Sequence, residues 1–194
     1  MLDEKSLNLA GSFSIAAAVL SIPLVMVQVI SESPEGQSAV FLILQSIFNA
    51  AYVAISVYVL IIFKRLLNQK ANFYDVDRYI EFIIWVNIAS AALHIITLPF
   101  KEAQETMGTV FLILLVLIGI IMVLFGLKLL KCADDLYGYL KTYSYLTIAS
   151  GIMIAIFILA LFGIIISLIS DVILALIFFK SAKLYKEQGS LSPG

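Results

Sequence analysis

From Tyr143 to Phe179 the chain runs for 37 residues with a single charge, Asp171. As one helix that stretch would be about 55 Å long, far thicker than the ~30 Å hydrocarbon layer of a bilayer. A soluble fold cannot bury it either. Of the 194 residues, 62% are hydrophobic and 13% charged, and the mean hydropathy is +1.09. Too few polar residues remain to build the shell of a soluble domain. The stretch therefore predicts two membrane helices of about 18 residues, turning near Leu161-Phe162-Gly163.

Four further runs have membrane-crossing length: roughly Leu7–Ile30, Ala39–Phe63, Tyr79–Phe100 and Gly108–Leu130. The fold class expected is all-α, an integral membrane bundle of six transmembrane helices. The charges agree with that number. With the N-terminus inside, Lys5, Lys64, Arg65, Lys70, Arg78, Lys128, Lys131, Lys141, Lys180, Lys183 and Lys186 all fall on the inner side, and only Lys101 falls outside. Five spans would put the Lys180–Lys186 segment on the wrong side. The first run reads as a retained span, because Asp3-Glu4-Lys5 is not net positive and no small-residue cleavage site follows. Size and short loops suggest a bacterial inner membrane, with both termini cytoplasmic.

A short signature recurs three times: Ser14-Ile15-Ala16-Ala17-Ala18, Asn87-Ile88-Ala89-Ser90-Ala91 and Thr147-Ile148-Ala149-Ser150-Gly151. Each opens the first run of a pair, and each second run ends at a basic boundary. The spans thus group as three tandem hairpins, about 7–67, 79–130 and 143–183, within one domain of residues 1–187. Residues 188–194 read as a flexible tail. The inner linkers match as well, Leu66-Leu67, Phe73-Tyr74 and Arg78 against Leu129-Leu130, Leu136-Tyr137 and Lys141. The helices are expected to continue into these linkers. Small residues four apart let helices approach closely in lipid, where apolar burial does not drive pairing.

Ionisable groups inside hydrocarbon are costly and are functional candidates. Asp171 lies nine residues before Lys180, about 13 Å deeper and close to the midplane. The corresponding positions in the other hairpins are Ile55 and Gly119, so the acid breaks the internal symmetry. Asn87 lies at similar depth, and Ser167 shares the Asp171 face. Gln45, Asn49, Tyr52 and Ser56 form one helical stripe, Asn87, Ser90, His94 and Thr97 a second, and Ser14, Ser21 and Gln28 a third. Together they can line a polar cleft leading toward Asp171. The plainer reading is interhelical hydrogen bonding that stitches the bundle, at around 0.6 kcal/mol per bond. His94, the only histidine, can titrate near neutral pH or sit satisfied by a neighbour. The run Gly108–Leu130 looks lipid-facing.

On the inner side, Lys64, Arg65, Lys70 and Arg78 could dock an acidic cytoplasmic partner or anionic lipid, or simply set topology. Glu81 should pair or snorkel at the interface. No nucleophile–base spacing, zinc-protease helix, paired membrane carboxylates or phosphate loop occurs in the sequence, which argues against an enzyme. The lone Cys132 permits no internal disulfide, and no cofactor or metal pattern is visible. A net charge of −1 gives no reason to expect nucleic acid. The leading expectation is a transporter or channel for a small ion or solute, with Asp171 as its midplane site and the bilayer as its surroundings. One chain is small for a closed pathway, so a homo-oligomer is expected. The alternative is a non-catalytic anchor, sensor or effector subunit whose inner loops dock a soluble protein.

Overall fold

The computed structural model describes residues 2–31, 39–97, 101–156 and 159–190. They form six helices: α1 Glu4–Ser31, α2 Ala39–Lys70, α3 Asp77–Thr97, α4 Lys101–Leu129, α5 Leu140–Ala155 and α6 Ala160–Ser190. No strand occurs among the described residues. Four helices contain stretches long and apolar enough to cross a membrane: Glu4–Leu24, Ile43–Lys70, Leu112–Leu129 and Leu161–Glu187. The two others are shorter or more charged. α5 has 16 residues, and α3 opens with Asp77, Arg78 and Glu81.

Local chemistry sets the helix starts. The Asp3 carboxylate accepts the Ser6 N–H at 2.8 Å while the Ser6 hydroxyl accepts the Asp3 N–H at 3.2 Å, a reciprocal cap on α1. At α5 the Asp135 carboxylate accepts the Lys141 N–H at 2.7 Å. Just before it, Leu136, Tyr137 and Gly138 all have positive φ (37°, 68° and 83°) and reverse the chain. Helix therefore does not continue into the second linker: α4 stops at Leu129. α2 does run on past the apolar stretch, to Lys70.

Among the described residues each helix packs on its neighbours in sequence, and α6 packs back on α1. The bundle is thus an up-and-down ring of six helices. Glycines set the closest approach. A Cβ on Gly119 would lie 2.7 Å from the Ala155 N and the Gly151 O, and one on Gly151 would lie 2.6 Å from the Gly119 O. α4 and α5 therefore touch backbone to backbone. Across the ring closure, a Cβ on Gly11 would meet the Phe179 ring at 2.7 Å.

The buried core occupies one end of the ring, where Leu7, Phe63, Leu67, Ile80, Phe125 and Phe178 are fully enclosed. Phe63 packs edge-on against Tyr143 and Phe178, with centroids 5.3 and 6.3 Å away. Elsewhere the pattern is inverted. Large apolar side chains such as Val19, Ile43, Trp85, Ile113 and Leu161 face outward, and polar ones face in. That distribution suits lipid surroundings and not water.

Three expectations are corrected here. The break in the 37-residue stretch falls at Ile156, with α6 starting at Ala160, and not at Leu161–Gly163. Gly163 lies inside α6, and a Cβ there would sit 2.7 Å from Ile154 Cγ1 and 3.0 Å from the Ile154 N; it is a packing glycine and not a turn glycine. α4 does not simply face lipid. One side exposes Ile113, Leu117 and Leu124, while the other packs on α5 through Gly119 and Gly126. Finally, α6 continues through Ser190, three residues into the stretch expected to be tail, and residues 191–194 lie outside the described residues.

Candidate functional site

Above the aromatic floor the ring encloses a cavity of about 370 Å³. Every helix contributes to it. α1 supplies Ser14 and Ser21, α2 Asn49, Tyr52 and Ser56, α3 Ile83 and Asn87, and α4 Ile118, Met122 and Phe125. α5 adds Tyr143 and Thr147, and α6 adds Ser167, Ser170, Asp171 and Leu174. The helical period explains the convergence. Residues three, four and seven apart share a face, and in a ring with apolar surroundings that face turns inward.

Asp171 sits one turn above Leu174, toward the sealed end. Its backbone carbonyl accepts the Ser14 hydroxyl at 2.9 Å, which ties α6 to α1. Among the described residues no side chain hydrogen-bonds its carboxylate. Tyr52 and Tyr143 line the same cavity. Beside it runs a seam of hydroxyls between α5 and α6. Thr147 Oγ1 donates to the Tyr143 carbonyl at 2.8 Å and lies 3.5 Å from Ser170 Oγ. Ser150 Oγ donates to the Gly163 carbonyl at 2.8 Å and lies 2.8 Å from Ser167 Oγ.

Of the residues singled out from the sequence, Asp171, Asn87, Asn49 and Ser167 line this one cavity. Gln45 is buried higher on α2 and is not part of the lining. His94 falls on α3, but its side chain lies outside the described ones, as do those of Thr97 and Gln28. Asn87 does not bridge helices; its Nδ2 donates to the Ile83 carbonyl one turn back, at 2.8 Å. Tyr143 lines the cavity without having been a candidate from the sequence, and its ring packs edge-on against Phe63 in the floor. The available signal was the spacing of Tyr143, Thr147 and Ser150, which makes a fourth polar stripe.

The basic residues of this end, where the aromatic floor lies, divide into two kinds. Lys64 is held within the chain, 2.6 Å from Glu81 Oε1 and 3.4 Å from Asp77 Oδ2, and Asn68 Nδ2 donates to the same Asp77 oxygen at 3.0 Å. Lys70 bonds the Tyr137 hydroxyl and lies over its ring. Arg65 and Arg78 are exposed. Cys132 is buried on this side, and burial raises its thiol pKa above the ordinary value. Among the described residues no group of three or more His, Cys, Asp and Glu is arranged to hold a metal ion.

No family model matches the chain, and no curated protein or solved structure matches it. The functional reading therefore rests on the geometry. A lone carboxylate in a half-closed cavity with a low-dielectric surround favours a companion positive charge, either a proton or a bound cation.

Proposed function

We propose that this chain is a six-span membrane protein whose central cavity binds a small cation or cationic solute at Asp171 and carries it across the bilayer. The observation that carries this reading is the position of Asp171. Among the described residues it is the one acidic side chain on a cavity lined by all six helices, and none of them neutralises or bonds its carboxylate. A purely structural aspartate would be expected to take a hydrogen-bond donor across the bundle.

The six-span reading draws further support from register. α3 begins at Asp77 and α5 at Leu140, the same offset of 63 that relates the linker sequences. α3 and α5 are then the leading helices of hairpins two and three, and α1 leads the first. In that arrangement the sealed aromatic floor faces the cytoplasm of a bacterial inner membrane, where eleven of the twelve Lys and Arg residues lie.

Because α6 closes on α1, the cavity is complete within one chain. The reason for expecting a homo-oligomer, too few helices to enclose a path, loses its force. The docking-subunit alternative is weaker on the same geometry, since Lys64 and Lys70 are engaged within the chain.

The test is cation flux into liposomes carrying the purified protein. Wild type should pass charge or cationic solute, and Asp171→Asn, which keeps the side chain's shape, should lose at least about tenfold of the rate. Equal flux in the variant would remove Asp171 from the mechanism.

A further inference from the structure

Resting on that reading, we infer that the cavity is built for a small organic monocation, an ammonium group bearing apolar substituents, and not for a bare metal ion. One feature of the wall points to a cation, and a second to an organic one.

The first is the direction of its hydrogen bonds. The hydroxyls of Ser14, Ser21 and Thr147 donate to backbone carbonyls of Asp171, Ala18 and Tyr143, at 2.9, 2.8 and 2.8 Å. The Asn87 amide N–H likewise goes to the Ile83 carbonyl. A hydroxyl whose proton is already committed can offer a ligand only lone pairs. These hydroxyls add acceptor lone pairs to a lining that already holds the Asp171 carboxylate, which suits a cation.

The second feature is the rest of the lining. Around Asp171 stand the rings of Tyr52, Tyr143 and Phe125, with Met122, Ile118 and Leu174. Aromatic faces attract a diffuse ammonium charge, and aliphatic walls favour its carbon substituents. A small inorganic cation gains little from them. It would have to give up hydration water to a site with one carboxylate, whereas divalent sites gather six or more oxygens. About 370 Å³ is room enough for a small organic cation.

The experiment uses the full chain in lipid nanodiscs and isothermal titration with choline. Its comparison ligand is the neutral carbon isostere, in which a tert-butyl group replaces trimethylammonium. Choline should bind, and the isostere should bind at least about tenfold more weakly. Sodium at equal concentration should not compete. Asp171→Asn and Tyr52→Leu should each weaken choline by about tenfold, while Tyr52→Phe, which keeps the ring, should stay within about twofold. Equal binding of the isostere, competition by sodium, or an indifferent Tyr52→Leu would overturn the inference. The two readings separate cleanly. Asp171-dependent flux of sodium without choline binding removes the organic-cation assignment and leaves the transport reading standing. Absence of Asp171-dependent flux for every cation removes both.

Discussion

Asp171 puts an ionisable group on the cavity where the proposed hairpin repeat would put Ile55 and Gly119, and the proposed cation site rests on that group. Its nine-residue separation from Lys180 can be read in the sequence, because helix rise converts it into a length. Its surroundings cannot. Tyr143 reads the same in sequence whether its ring faces lipid, a headgroup or a cavity. Only the packing of Phe63 against it at 5.3 Å decides the matter. A second residue makes a prediction that can be checked in isolation. Hydrogen bonds from Ser6, side chain first and then backbone N–H, hold the Asp3 carboxyl below its usual pKa of 3.8. A lowered folded-state pKa means the cap is fully effective above the ordinary value and is lost as pH falls through the lowered one. Amide exchange in the first turn of α1 should therefore stay protected at pH 5, and protection should fade only below the ordinary carboxylate range. In Asp3→Asn, whose amide still accepts a hydrogen bond, that pH dependence should vanish. Fraying that is identical in both proteins across the acid range would exclude the cap as its cause.

At the level of helices, the period of polar residues on α1 and α2 announced which faces turn inward. Ser14 and Ser21, and Asn49, Tyr52 and Ser56, all reach the cavity. α4 carried no such signal. Ile118, Met122 and Phe125 line the cavity, while Ile113, Leu117 and Leu124 face outward, and no scale of hydrophobicity separates the two sets. What fixes the rotation of α4 is Gly119 and Gly126, because only their sides permit backbone contact with α5. The break at Ile156 was misplaced for a related reason. Gly163 is the nearest glycine, but its missing side chain serves a contact with Ile154 and not a reversal of the chain. Two neighbouring substitutions separate these contributions. Gly151→Ala pushes a methyl to 2.6 Å from the Gly119 carbonyl oxygen, which is backbone and cannot turn away. It should cost about 1–3 kcal/mol, the usual range for overpacking. Ser150→Ala removes hydrogen bonds to the Gly163 carbonyl and Ser167, each worth around 0.6 kcal/mol in a membrane protein. Reversible unfolding in mixed detergent should rank Gly151→Ala as the more damaging. The opposite order would mean that α5 is held more by its hydroxyl bonds to α6 than by its close approach to α4.

For the molecule as a whole, the decisive property is that the ring closes on itself. Closure depends on Gly11 facing Phe179 and on Ser14 reaching the Asp171 carbonyl, contacts between positions 168 and 157 residues apart. No local pattern encodes such pairings. The closed ring makes a quantitative statement about stoichiometry. A pathway inside one chain gives a flux per liposome that rises linearly with the number of chains, down to fewer than one per vesicle on average. A pathway formed between copies rises with a higher power and disappears at that dilution. Reconstitution over a hundredfold range of protein-to-lipid ratio should give a slope of one on logarithmic axes, for wild type and for an Arg65→Ala, Arg78→Ala variant alike. The two arginines are exposed and do not line the cavity, so their removal tests whether docking at that surface contributes to the proposed transport. A slope near two would return the pathway to an interface between subunits. The cavity within one chain would then be a packing feature, and the unbonded carboxylate of Asp171 would need a different partner from the one proposed.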